Sequence, residues 1–354
     1  MQEFVDRQKL SGAVTLVADG QHILHLSAVG RRDIERNLPM RTDTIFWAAS
    51  MTKPMTGAAI MMLQDQGKLS IDDPVSKYIP EFADLKTPSG KPANLTLRLL
   101  LTHTSGLPDA PKSTLHKPRT LAEVLPYFLH RPMVYEPGTR WRYCQSGINT
   151  LGRIIEIVSG ESYENFMRDR LFVPLGMKDA TFYPTKDQTS RLAISYNLKD
   201  GRLEATEIDL LPGPVGDRNH YTAANGGLFC TAADYCRFAQ MLLNGGSLDD
   251  KQYLRPETVK EMTRIQTDGI PSVGFIPGSA WGLTVGIVSK PTGITEGLSP
   301  GTYGHGGAYG TQAWIDPVKN RIYLLLIQRG DLPNSDASEF RTAFQEPAIG
   351  DGEN

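Results

Sequence analysis

The residues best suited to chemistry lie in Ser50-Met51-Thr52-Lys53-Pro54. Downstream, Met55, Ala59, Met62 and Leu63 recur at helical spacing, and Gly67 supplies a C-terminal stop. Pro54 has no N–H to donate, so it belongs at or near the start of that helix. Ser50 and Lys53, three residues apart, then share one face of the first turn. A cation there opposes the positive end of the helix dipole, at a cost of about 0.3–1 kcal/mol. The apolar lead-in Thr44-Ile45-Phe46-Trp47-Ala48-Ala49 and the uncharged run from Met55 to Leu63 make an ammonium costlier still. Dipole and burial together lower a lysine pKa, and a neutral amine beside a serine hydroxyl is a base beside a nucleophile.

Two other segments carry chemical potential. Trp141-Arg142-Tyr143-Cys144-Gln145-Ser146-Gly147 precedes a helical run in which Ile148, Leu151, Ile154, Ile155 and Val158 share a face. Tyr143 reads as a proton-transfer group if a cation such as Lys53 draws its pKa down from ~10, and otherwise as an interface tyrosine. Gln145 offers an amide to a substrate carbonyl or to the lysine. In Tyr303-Gly304-His305-Gly306-Gly307-Ala308-Tyr309-Gly310-Thr311 the glycines weaken a strand, and close approach of a substrate to its backbone would explain them. Such a strand edge can aim an N–H at an oxyanion. A glycine bulge with a core histidine at 305 fits the same residues.

These pieces need elements to hold them. Gly12–Ala18 and Ile23–Ala28, separated by Gly20-Gln21, read as a β-hairpin. Thr96, Thr120 and Thr231 each open a helical pattern as a capping residue. Trp281–Val288, Gln312–Asp316 and Arg321–Gln328 read as strands between Gly/Pro turns. Strands at both ends with helices between predict an α+β fold: one sheet completed by the N- and C-terminal segments, plus an inserted, mainly helical lobe. On this reading residues 1–60 and 225–330 form the sheet-containing lobe, 61–224 the helical lobe, and 331–354 a polar, loosely held tail.

Composition narrows the function classes. The chain has 354 residues, 40% hydrophobic and 21% charged, with net charge −2 and pI near 6.4. That balance carries no electrostatic footprint for nucleic acid, and no apolar run reaches the ~18–20 residues a membrane span needs. The first residues do not read as a signal peptide; a leader removed from a longer precursor would still allow export. Cys144, Cys230 and Cys236 allow one disulfide at most and show no zinc spacing, and the seven histidines contain no H-E-x-x-H. The expectation is catalysis without metal or cofactor on a small-molecule substrate. Oligomeric state is left open by the sequence. No serine sits in a Gly-x-Ser-x-Gly elbow, which excludes the α/β-hydrolase arrangement.

Ser50-x-x-Lys53, Tyr143-x-Gln145 and His305-Gly306-Gly307, in that order, resemble the three motifs of the penicillin-recognising serine hydrolases. That group includes class C β-lactamases, D,D-carboxypeptidases, D-aminopeptidases and family VIII carboxylesterases. The resemblance spans about Gly12 to Gln328, with echoes in Lys68–Val75, Leu100–Leu107 and Asn225–Leu228. It implies a β-lactamase-like α+β fold, an antiparallel sheet flanked by helices with the active site in the cleft between it and the inserted helical lobe. It implies too that Ser50 forms an acyl-enzyme and that Lys53 and Tyr143 relay its proton. It further implies an oxyanion hole made by the backbone N–H groups of Ser50 and Ala308, with Gln145, His305, Gly306 and Gly307 against the substrate. Where many members have Tyr-x-Asn this chain has Gln145. Where β-lactamases have Lys-Thr-Gly it has His305 and Gly306, without the fixed cation and hydroxyl that hold a carboxylate. The resemblance therefore favours an esterase of short acyl chains over a strong β-lactamase. A D-amino-acid peptidase or amidase is the alternative, followed by a β-lactam sensor or structural homologue without turnover.

Overall fold

The computed structural model describes residues 1–350. The N-terminal alternation forms β1 (Gly12–Ala18) and β2 (Ile23–Asp33), followed by the short β3 (Leu38–Pro39). The chain returns to the same sheet near its other end with β4 (Ser279–Trp281), β5 (Gly286–Val288), β6 (Tyr303–Gly306), β7 (Gln312–Asp316) and β8 (Arg321–Leu326). The strands make one antiparallel sheet in the order β4-β5-β6-β7-β8-β1-β2-β3. Its closing pair is β1 with β8, where Val14 faces Leu326 and Leu16 faces Leu324.

Both faces of β8 are buried. Ile322, Leu324 and Leu326 join the large core with Val14, Leu16 and the helices, while Tyr323, Leu325 and Ile327 pack with Phe340 and Phe344 on the other side. Two buried faces explain why this strand is a nearly continuous apolar run. Helix α1 (Thr52–Asp65) is buried at every position from Thr52 to Leu63, as befits a helix running through a core. Helix α2 (Gln145–Ser159) presents the predicted apolar face and ends at Gly160 in the left-handed conformation, φ 76°. Helix α3 (Ala232–Leu243) opens with a Thr231–Asp234 capping box. Thr96 and Thr120 cap the short helices Leu97–Leu101 and Leu121–Val124 through their side chains.

Three features differ from expectation. Trp281–Val288 is a hairpin rather than one strand. The chain reverses at Gly282–Val285, with Thr284 at φ 65° and the Gly282 N–H donating to the Val285 carbonyl at 2.8 Å. A small hairpin, Ser195–Lys199 with Arg202–Thr206, lies within the otherwise helical middle. The C-terminal segment is packed, not loose, as far as Gly350. Helix α4 (Glu339–Gly350) buries Phe340 and Phe344 against the outer face of the sheet, and the Arg341 guanidinium lies 4.1 Å from the Trp314 ring centroid. Two aromatics one helical turn apart are too sparse a stripe to stand out in a polar segment. Residues 351–354 of the expected tail lie outside the described residues. Among the described residues, no helix is long and apolar enough to cross a membrane.

Candidate active site

Ser50 sits in a 3-10 turn, Ala49–Met51, that runs directly into α1. Ala49 holds φ 50°, a left-handed conformation that a residue with a side chain adopts only when its surroundings enforce it. The enforcement is visible. The Ala48 N–H donates to the Leu228 carbonyl at 2.9 Å, the Tyr235 hydroxyl to the Met51 carbonyl at 3.0 Å, and the Gln328 side chain to the Trp47 carbonyl at 2.9 Å. The Thr52 hydroxyl donates to the Ala49 carbonyl at 2.7 Å and accepts from the Leu228 N–H at 3.1 Å. Ser50 is thus fixed from several distant segments.

Lys53 has no exposed surface. Its Nζ lies 3.0 Å from Ser50 Oγ and donates to the Asn225 carbonyl at 2.6 Å. Burial pulls its pKa down to about 7, against the opposing pull of the Asp109 carboxylate. Near neutrality a substantial fraction is therefore the free amine, 3.0 Å from the hydroxyl whose proton it would take.

Tyr143 stands on the loop before α2. That loop is held by Asp109, whose Oδ1 accepts from the N–H groups of Gln145 at 2.7 Å and Ser146 at 3.0 Å, at the start of the helix. His103 holds it from beneath. Its Nδ1 accepts from the Cys144 N–H at 3.2 Å, and its ring lies 4.5 Å from that of Tyr143. The expected electrostatic role of Lys53 toward Tyr143 is not what the structure shows. Lys53 Nζ faces the Tyr143 ring at 4.6 Å from its centroid, and burial drives the phenol well above its ordinary pKa, with Ser50 pulling more weakly the other way. Tyr143 therefore rests as a protonated phenol.

His305 lies on β6, which pairs with β5 only through Tyr303 and Gly304 but with β7 through Gly306. Beyond Gly304 one side of the strand faces the cleft. His305 Nδ1 contacts the Gly306 carbonyl at 2.6 Å, so Nδ1 carries the proton, since a carbonyl can only accept. Nε2 then accepts from the Tyr143 hydroxyl at 3.2 Å. Burial, aided by the charge of Lys53, lowers the His305 pKa to about 3, so it is neutral in ordinary buffers. At Gly307 an added Cβ would fall 2.7 Å from the Ala48 carbonyl oxygen and 3.2 Å from Ala49 Cβ. Only glycine lets this strand pass the nucleophile turn so closely. The Thr311 hydroxyl ties the two together by donating to the Ala48 carbonyl at 3.2 Å. Among the described residues, the Ala308 amide donates to no other backbone group.

A cavity of about 740 Å³ opens over these groups. Ser50, Tyr143 and Gln145 line it, and so do His305, Gly306, Gly307 and Ala308, while Lys53 lies beneath the surface. Gln145 reaches neither Lys53 nor the nucleophile turn. Its Oε1 accepts from Asn225 Nδ2 at 2.8 Å, and the Asn225 backbone takes the place beside Lys53 that the sequence offered to Gln145. Asn225, Asp109, His103 and Asp336 are site residues that the sequence did not single out for a role. Asn225 and His103 lay within segments noted as echoes of the family. Nothing in the local sequence of Asp109 or Asp336 marks them.

The arrangement is a buried Ser–Lys–Tyr constellation under a cavity, on a sheet closed by both ends of the chain. The Beta-lactamase family matches residues 1–346. Esterase EstB of Burkholderia gladioli is 28% identical, over 90% of this chain and 86% of its own. A putative D-alanyl-D-alanine carboxypeptidase of Escherichia coli K12 is 30% identical, over 88% of this chain and 75% of its own. In three dimensions the fold resembles EstCE1, a hydrolase with promiscuous acyltransferase activity, with TM-score 0.84 at 24% identity over 99% of this chain and 95% of that one. With the fold, the motifs and the match in agreement over nearly the whole length, this chain belongs to the Beta-lactamase family and is a serine hydrolase of that fold.

Proposed function

We propose that this chain is a carboxylesterase of short-acyl esters that works through an acyl-enzyme on Ser50, with weak or no β-lactamase activity. The observation that carries the reading is the His305–Gly306 wall. It presents a neutral imidazole whose Nδ1 proton is already bound to the Gly306 carbonyl, followed by a residue with no side chain. A β-lactam or a C-terminal D-alanyl peptide carries a carboxylate near its scissile bond and needs a cation or donor there. A simple ester needs neither.

The chemistry follows from the hydrogen-bond directions. Lys53 Nζ takes the Ser50 proton as Oγ attacks the ester carbonyl, and the Ser50 and Ala308 amides hold the resulting oxyanion. The carbon–oxygen bond to the alcohol breaks as Tyr143 gives that oxygen its proton, leaving a phenolate beside the Lys53 ammonium. Water then attacks the acyl group and passes its proton to the phenolate. Ser50 departs with the proton held on Lys53, and both groups return to their resting states.

The test compares a p-nitrophenyl short-chain ester, a D-alanyl p-nitroanilide and a chromogenic cephalosporin on purified protein, with intact-mass detection and Ser50→Ala as control. Ester turnover lost in Ser50→Ala, with little on the other two, supports the proposal. Preferred turnover of the D-alanyl amide would replace it with the peptidase reading, and a single stable adduct with a sensor.

A further inference from the structure

Asp336 comes from the segment that leads into α4, yet it forms part of the cavity wall. The residue is half-buried, and its Oδ1 is shut off from solvent with no hydrogen-bond partner. That oxygen lies against Gly306. A Cβ built on Gly306 would collide with it and would stand 2.7 Å from Gln312 Nε2. The Asp336 carboxyl thus fills the volume that a side chain at position 306 would take.

The placement is built rather than incidental. The Ser335 hydroxyl donates to the Ala308 carbonyl at 2.9 Å, and Gln312 Nε2 donates to the Ser335 carbonyl at 3.1 Å. These bonds staple the segment to the same loop that carries the Ala308 amide. From behind, buried Arg341 donates through Nη1 to the Asp336 backbone carbonyl at 2.9 Å and through Nε to Gln345 at 3.2 Å. The guanidinium therefore fixes the Asp336 main chain. Among the described residues no cation lies within 4.0 Å of its carboxyl oxygens. Oδ1 is closed to water and so to a ligand's donor; Oδ2 also has no hydrogen-bond partner among the described residues but is not shut off, and through it the carboxyl can take a donor from a ligand in the cavity.

We infer that Asp336 is a specificity-determining residue: its carboxyl accepts a hydrogen bond from a hydroxyl or amine that the substrate carries beside the reacting carbonyl, and it repels a carboxylate in that place. The inference rests on acyl transfer at Ser50 and deepens the reading of the His305–Gly306 wall. That wall does not merely lack an anchor for anions; it holds an acidic group against them. Burial raises the Asp336 pKa, with buried Arg341 and the Gln312 amide pulling the other way, so its repulsion of a carboxylate strengthens as pH rises and Asp336 ionises.

Two matched series test this. One is p-nitrophenyl esters of equal-length acyl groups ending in methyl, hydroxyl or carboxylate. The other is butyrate esters of alcohols ending in the same three groups, followed by acid release. In at least one series the wild type is expected to prefer hydroxyl over carboxylate by roughly 10- to 100-fold in kcat/KM, the range of one hydrogen bond to a charged group. Asp336→Asn should lower that ratio at least about tenfold. Asp336→Ser, which keeps an acceptor without the charge, should relax the exclusion of carboxylate while retaining preference for hydroxyl over methyl, and it carries the test if Asp336→Asn does not fold. If the enzyme turns over p-nitroanilides instead of esters, the same ratio is taken on p-nitroanilides, so failure of the esterase reading and failure of this inference are separate results. Ratios unchanged by both substitutions in both series overturn the inference.

Discussion

On one side of the cleft, Ser50 and Lys53 stand three residues apart in a single helical turn, 3.0 Å from hydroxyl to amine. On the other, Tyr143 and His305 meet from positions 162 residues apart in the chain, and Asp336 arrives from the segment before the last helix. The helix backbone alone brings the first pair together, so either residue presents the other at little conformational cost. The second wall exists only once the sheet has closed and the C-terminal segment has been stapled to it. The difference separates two jobs. On the proposed mechanism the local pair makes the bond to the acyl group, while the assembled wall supplies the Tyr143 proton and shapes what approaches.

The largest effects should come from breaking the local unit. Ser50→Ala is expected to lower kcat/KM on order of 10⁴-fold or more, and Lys53→Ala nearly as much, with circular dichroism and cooperative unfolding retained. The double variant should be no worse than either single one, because one residue without the other performs no step. An additive loss in the double variant would show two independent contributions and sink the unit description.

A smaller effect sharpens the same contrast through pH. Lys53 acts as a base only when neutral, and burial brings its pKa to about 7. On this account kcat/KM falls about tenfold per pH unit below 7 and levels off above it. His305, held near 3, stays neutral through this range and adds no second inflection. A log(kcat/KM)–pH profile on a neutral ester reads both statements. A flat profile between pH 5 and 8 would mean that Lys53 is not the resting base, and a bell would bring a second titrating group into the cleft.

The same contrast explains what could be read before folding. Ser50 and Lys53 were legible because their spacing is a helical spacing and their flanks are apolar. The β1–β2 hairpin, the α2 face and the Thr231 cap were legible for the same local reason. The C-terminal segment was not, because Phe340 and Phe344 are only two apolar signals in a polar stretch and their partners, Tyr323 and Leu325, belong to a strand. Trp281–Val288 read as one strand because its residue types suit a strand throughout; the reversal depends on the Gly282–Val285 bond and on Thr284 at positive φ. The sequence offers Lys53 as a cation that would lower the pKa of the Tyr143 phenol. In the packed site burial raises the phenol, aided by Asp336 and Asp109, and only the Ser50 hydrogen bond pulls it down. Asp336 is invisible for the plainest reason, since its partner Gly306 contributes no side chain and pairing by type cannot find it.

The smallest expected effect concerns stability, and its sign runs against the usual consequence of altering a buried site. Lys53 titrates near 7 in the fold and near its ordinary 10.5 when unfolded. Below pH 7 both states are protonated and the fold bears the full cost of a buried ammonium, on the order of a few kcal/mol. As pH rises from 7 toward 10.5 the folded lysine is neutral while the unfolded one still holds its proton, so the cost fades. Methionine has a similar length and no charge, though it leaves the Asn225 carbonyl without its donor. Lys53→Met should therefore be inactive yet melt above the wild type at pH 6, with a gap that narrows steadily toward pH 10. Differential scanning calorimetry across that range decides the matter. A gap that does not change with pH would show that Lys53 keeps its ordinary pKa in the fold, charged and solvated across this range, and that burial does not supply the neutral amine on which the Ser50–Lys53 pair depends.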